Sequence, residues 1–143
     1  MATTEINDGS LDDAARTLGD GEIFMVNLLR YNATARYEDG DQPPCSGREA
    51  YFTRYVPAFA EVTKGQGIGA QWVGCVHAAL VGPADEAWDD VAVVRYPDFA
   101  AFRTMIEGAD YLAKADPHRR AALADWRLLA TTAMPLPGPD AQA

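Results

Sequence analysis

The side chains in this sequence that combine a reactive group with an apolar setting point toward proton transfer and the stabilisation of negative oxygen. His77 stands in the apolar run GCVHAALV and is the ionisable residue within it. An imidazole facing a cavity there would be a general base near neutral pH; facing elsewhere it would be a bonded core or interface histidine. His118, the other histidine, lies in DPHRR at the start of a helical stretch. The positive end of a helix disfavours its charged form, leaving a neutral base or donor, or else a surface or capping residue. Tyr51 and Tyr55 are four residues apart and share one helical face. A phenol in a cavity donates to a developing oxyanion; in a closed core it is packing with a bonded hydroxyl.

The stretch FMVNLLRY adds an amide and a guanidinium to a buried strand pattern. Strand alternation puts Asn27 on one face with Met25 and Leu29, and Arg30 on the other with Val26 and Leu28. A buried amide must be hydrogen-bonded, so Asn27 either binds a substrate carbonyl or enolate or is paired within the sheet. Arg30, at the strand end, would anchor an anion or pair with a carboxylate. Arg95 and Arg127 interrupt apolar strands; each would face Asp125 or Asp90, or hold an anionic oxygen. Trp72, Trp88 and Trp126 are candidate aromatic walls or core.

Other chemistries lack their motifs. There is no HExxH and no Cys/His cluster, so no metal site is expected. GQGIG follows a helical stretch and precedes a strand, the reverse of a dinucleotide fingerprint, and reads as a helix end and turn. No GxSxG or phosphate-binding loop is present. Cys45 and Cys75 do not make a disulfide framework; Cys75 reads as a buried small hydrophobe and Cys45 as an exposed loop thiol. With 12 basic and 21 acidic residues the net charge is −9, which repels phosphate backbones and anionic lipid. No signal-peptide pattern and no membrane-length apolar run is seen, so the expected location is the cytoplasm. The sequon at Asn32 reads as chance.

These residues need a scaffold, and 143 residues suffice for one domain. Residues 1–9 read as a loose tail. SLDDAARTLGDGE predicts a short helix with Ser10 as N-cap and an end at Gly19. EIFMVNLLRY is the first strand, followed by a loop over 32–46, long enough to be functional. SGREAYFTRYVPAFAEVTKG has helical spacing with Pro57 kinking or shortening it. GIGAQWVGCVHAALVG is a long second strand, ADEAWDD a connection and VAVVRYP a third strand. Asp98 caps the next helix, Asp116 and Pro117 start another, and WRLLATTAM is the last strand. Residues 10–134 thus form one domain, with a disordered tail at 135–143. The order is the split βαβ, ferredoxin-like α+β plan, a four-stranded antiparallel sheet with an extra N-terminal helix. The strands are apolar on both faces, so a homodimer with sheets packed face to face is expected.

Taken together, MVNLLRY, YFTRYVPAF, GCVHAALVGP, WDDVAVVRYPDFAAFRTMI and HRRAALADWRLLATT resemble a domain-of-unknown-function family of the dimeric α/β-barrel superfamily. The resemblance spans about residues 22–132. That superfamily includes antibiotic-biosynthesis monooxygenases and cyclising or ring-opening enzymes of small aromatic and polyketide molecules. It implies a cavity between sheet and helices and, in some members, work without metal or prosthetic group. The long 32–46 segment departs from the shorter loop such a family would carry. The resulting expectation is a cofactor-independent enzyme for a hydrophobic oxygenated substrate. His77 or His118 would move protons, and Asn27, Tyr55 and an arginine would stabilise oxyanion charge. Tyr51, Trp72, Arg30, Arg95 and Arg127 would contact substrate. The alternatives are a cofactor-free monooxygenase and a non-catalytic dimeric binding or accessory protein, with no nucleic-acid or membrane partner.

Overall fold

Burial alternates along Ile23–Tyr31, and this strand, β1, is the middle of the molecule. Ile23, Met25, Asn27 and Leu29 are buried on one side, while Phe24, Val26 and Leu28 are half-covered on the other and Arg30 is exposed. In the computed structural model, which describes residues 2–137, β1 lies between β3 (Asp90–Tyr96) and β4 (Leu123–Thr131). The edge strand β2 (Gly69–Cys75) completes an antiparallel sheet of order β2-β3-β1-β4. This is the expected ferredoxin-like α+β architecture. The tail residues 138–143 lie outside the described residues.

Two helical arms cover one face of the sheet. The first runs from α2 (Gly47–Glu49) through a π-helical segment, Ala50–Tyr55, into α3 (Val56–Val62). The second comprises α4 (Phe99–Glu107), a π-helical segment, Tyr111–Ala115, and α5 (Asp116–Ala122). Each π segment ends just before a proline, Pro57 or Pro117. The amide of Val56 donates five residues back to Tyr51, and that of Asp116 five back to Tyr111. Proline has no amide to continue an α-helical ladder, so the wider turn ahead of it accommodates the gap without ending the arm. The core between these arms and the sheet holds Ile23, Met25, Leu29, Tyr96, Phe102 and Met105 among others.

Local details correct several expectations. The additional N-terminal helix, α1, spans Asp8–Thr17, and its cap is Asn7, not Ser10; the Asn7 side chain accepts from the Ser10 amide. Gly19 follows its end at a φ of 71°. The segment before it is fastened rather than loose: Thr3 donates its amide to Asp125 Oδ1 at 2.9 Å and accepts from the Trp126 amide at 2.9 Å. The Asp125 pKa is depressed, because these backbone donors and Arg127 outweigh its burial. Asp98 caps α4, accepting from Ala101 at 2.7 Å. Asp116 does not cap α5; it sits in the first turn and binds Arg119 and Arg120. The expected long second strand stops at Cys75, where pairing with Asp90 ends. Beyond it, residues 76–89 form a loop whose Leu80 and Val81 are 93% and 97% exposed. Cys75 is exposed and Cys45 partly buried against the core, the reverse of the expectation.

The 32–46 loop packs on α5. Asn32 and Arg36 donate backbone amides to Ala122 and Ala121, at 2.8 and 2.9 Å. Gly47, at the start of α2, closes this junction. A Cβ there would lie 2.3 Å from the Asn32 carbonyl oxygen and 2.6 Å from that of Ala122. Both obstacles are backbone and cannot step aside. Gly47→Ala should therefore lower stability by about 2–3 kcal/mol, read as a reduced urea midpoint at unchanged slope. Gly40→Ala, with nothing near its added carbon, is the control that should leave the midpoint in place.

Candidate functional site: a tyrosine-lined cavity

Between the sheet and the helical arms lies a cavity of about 250 Å³. Its sheet wall is Asn27, Ala92, Val94, Tyr96, Trp126 and Leu128, side chains that strand alternation sends to the helical side. Its roof comes from the two arms: Tyr51, Tyr55 and Phe59 from one, Phe102, Met105 and Tyr111 from the other. The exposed liners Val56, Ala60, Ala70 and Val73 cluster between α3 and β2, which places the mouth there.

Four phenols, Tyr51, Tyr55, Tyr96 and Tyr111, supply most of the side-chain polarity. Tyr55 and Tyr111 hydroxyls are 3.0 Å apart and share one hydrogen bond. Whichever of the two accepts keeps its own hydrogen for a third group. Burial raises the pKa of all four. For Tyr51, Tyr55 and Tyr96 the neighbouring phenols add to the rise. For Tyr111 the hydrogen bond with Tyr55 and the charge of Arg119 pull the other way, without reversing it. All four are therefore neutral donors across the physiological range.

Asn27 reaches the cavity but has few free valences. Its Nδ2 donates to the carbonyls of Met25 at 3.3 Å and Ala92 at 3.2 Å, and its Oδ1 accepts from Trp126 Nε1 at 3.1 Å. Both amide hydrogens are taken, so Asn27 positions Trp126 and knits the sheet; it has none left for a ligand oxygen. Thr63 also lines the cavity, with its hydroxyl donated to the Phe59 carbonyl at 2.8 Å. Among the described residues no charged side chain and no histidine lines this space.

The remaining sequence-derived candidates lie elsewhere. His77 is exposed in the 76–89 loop, outside the sheet. His118 hydrogen-bonds through Nδ1 to Tyr37 at 2.7 Å, beneath the 32–46 loop. Burial first, and the charge of Arg54 second, lower its pKa, in the direction of the expected neutrality. Trp72 is 58% exposed on the uncovered face of the sheet. Arg30 is exposed on that same face. Arg95 pairs with Glu22 and donates to the Gly67 carbonyl. Arg127 pairs with Asp125 at 2.6 Å and lies over the Trp88 ring. Asp90, expected as a partner of those arginines, is 1% exposed and binds Arg48 at 2.6 Å and the Tyr31 hydroxyl at 2.7 Å. Of the nine candidates, Asn27, Tyr51 and Tyr55 meet in the cavity.

Sequence reading missed Tyr96 and Tyr111; of the three tryptophans read as candidate aromatic walls, Trp126 lines the cavity. Tyr96 continues the alternation Ala92, Val94, Tyr96, a usable signal. Tyr111 had none, since its position depends on the π turn. Among the described residues no group of three or more His, Cys, Asp or Glu side chains is arranged to hold a metal ion, and no helix is long and apolar enough to cross a membrane.

No protein-family model matches the sequence, and no curated protein matches it. Solved structures do. A Rhodopseudomonas palustris protein of unknown function, RPA0582, is 31% identical, with 94% of this chain and 98% of that chain covered at a TM-score of 0.82. Its methylated form gives 33%, 96%, 98% and 0.84. A dabb family protein with a ferredoxin-like fold from Mesorhizobium loti is 9% identical, covering 80% and 98% at a TM-score of 0.51. An ethyl tert-butyl ether d (ethd) family protein from Bacillus halodurans is 13% identical, covering 79% and 99% at 0.51. The last two share the fold.

The raised phenol pKa values fix a pH dependence. Above pH about 10 the unfolded chain sheds phenolic protons that the folded chain retains, so stability falls as pH rises. In a spectrophotometric titration at pH 11, the native protein should ionise fewer than its six tyrosines, and denaturant should release the rest. Full ionisation of the folded protein at that pH would contradict the burial of Tyr51, Tyr55, Tyr96 and Tyr111.

Proposed function

The chain belongs to the family of the Rhodopseudomonas palustris protein RPA0582, and from its own cavity we propose that it binds a neutral, apolar small molecule carrying a carbonyl or similar acceptor oxygen. One observation carries this reading: an apolar space, open at one mouth, whose free polar groups are protonated phenols. Such a space favours a ligand without charge, because an ion would lose its hydration and meet no counter-ion. A Tyr55–Tyr111 hydrogen points the oxygen. The volume, about 250 Å³, exceeds the roughly 150 Å³ that accommodates benzene, so a substituted monocycle is the scale.

The same donors are the electrophilic half of enolate chemistry. The other half, a base, is not among the liners, and both histidines lie outside. Turnover would therefore favour a substrate acidic enough to ionise without a protein base. Binding with polarisation of the oxygen is the reading the geometry supports best.

The uncovered sheet face supports a second element of the proposal, a homodimer. Phe24, Val26, Leu28, Val91 and Val93 form its centre, with Leu129 and Trp72 at the sides. A contiguous apolar surface of this kind marks an interface, and a second copy presents the same shape to it.

Two measurements test these readings. Calorimetry should show saturable binding of acetophenone, tighter than ethylbenzene, with the double change Tyr55→Phe and Tyr111→Phe erasing about fivefold of that preference, the worth of one net hydrogen bond. Equal affinity for both compounds in both proteins would overturn the donor role. Light scattering should give twice 15.5 kDa for the wild type and a folded monomer for Val26→Asp; a wild-type monomer would remove the dimer.

A further inference from the structure

We propose that Ile6 sets the length of molecule that the cavity accepts, standing as a partition between it and a second apolar hollow; this deepens the reading of the cavity as a ligand site and rests on it. The second hollow, about 450 Å³, lies between α1 and the β4 end of the sheet. Ile6, Phe102, Trp126 and Leu128 belong to both linings. Three of these are held by helix or strand packing. Ile6 comes from the strap of residues 3–7 and is its one apolar side chain.

The strap is fastened on both sides of Ile6. Ahead of it, Thr3 is tied to β4, and Arg119 donates to the Thr4 carbonyl at 2.6 Å and to Glu5 at 3.0 Å. Behind it, Asn7 caps α1. The backbone is thus fixed by polar contacts that do not depend on the Ile6 side chain. Shortening that side chain removes the divider and leaves the strap in place. The hollows beyond and before it, about 450 and 250 Å³, then run together. A ligand held by its oxygen at Tyr55 and Tyr111 would extend an alkyl tail through the gap.

The test is a calorimetric series with acetophenone and its 4-alkyl derivatives, from methyl to octyl, on the wild type, Ile6→Ala and Ile6→Phe. In the wild type, affinity should rise roughly fourfold per buried methylene and then drop roughly tenfold or more once the tail meets Ile6. Ile6→Ala should let affinity keep rising past the wild-type break toward octyl, because the hollow of about 450 Å³ then lies open to the tail, and Ile6→Phe should move the break toward shorter tails. Far-ultraviolet circular dichroism confirms that each variant is folded; if Ile6→Ala is not, Ile6→Val takes its place. A break at the same tail length in all folded variants overturns the partition and leaves the ligand site standing. Failure of every compound to bind the wild type overturns both.

Discussion

A buried guanidinium holds this molecule's cavity together. Arg119, with its side chain 5% exposed, donates to Asp116 at 2.8 Å within α5, to Glu5 at 3.0 Å and to the Thr4 carbonyl. Its planar group lies 4.7 Å over the Trp126 ring. A cation so deeply placed loses its hydration, and that loss is offset only if every donor finds a partner. These partners belong to three parts of the fold: Asp116 to the second helical arm, Thr4 and Glu5 to the N-terminal strap and Trp126 to strand β4. Because the guanidinium must satisfy all of them together, it brings those three elements into one arrangement. Trp126, pressed beneath it, donates in turn to Asn27 at the centre of the sheet. The cavity wall is thus linked by charge, ring and amide from its edge to its middle strand.

The two helical arms reach the cavity by the same backbone device. A proline placed mid-helix would break an α-helical ladder. Here a π turn precedes it in each arm, and the cavity phenols Tyr51, Tyr55 and Tyr111 lie in those turns. A π turn adds a residue to the local repeat, which shifts every later side chain around the helix axis. Tyr51 and Tyr55 nevertheless stay stacked, with ring centroids 4.9 Å apart. Pro57, read from sequence as a kink, and Pro117, read as a helix start, are better understood as the reason the arms widen where the site is.

What could be read from the sequence followed from periodicity. Alternation in FMVNLLRY assigned Asn27 and Arg30 to opposite faces, and the sheet has them so. The order of apolar runs yielded the topology, because each run is long enough for its type and has a turn signal beside it. The second strand failed for an instructive reason. HAALV is as apolar as a strand, but a strand needs a neighbour to pair with, and β3 begins at Asp90, opposite Cys75. Composition cannot report the absence of a partner. The histidines failed similarly: their chemistry was legible, but their distance from the cavity depended on where that strand ended and on how the 32–46 loop packed on α5.

The cavity's polarity decides more about its chemistry than any single residue in it. Buried phenols are weak acids made weaker, since ionisation would bury an uncompensated charge. They can lend a hydrogen to an oxygen without giving up the proton, and they do so with little reorganisation because their rings are packed edge and face against one another. Arg119 adds a gradient to this arrangement. Its charge acts on Tyr111 and on Tyr51, against the upward pull of burial. The same guanidinium that fastens the strap thus also polarises the site, so the element that closes the cavity and the group that orients its occupant are coupled through one side chain.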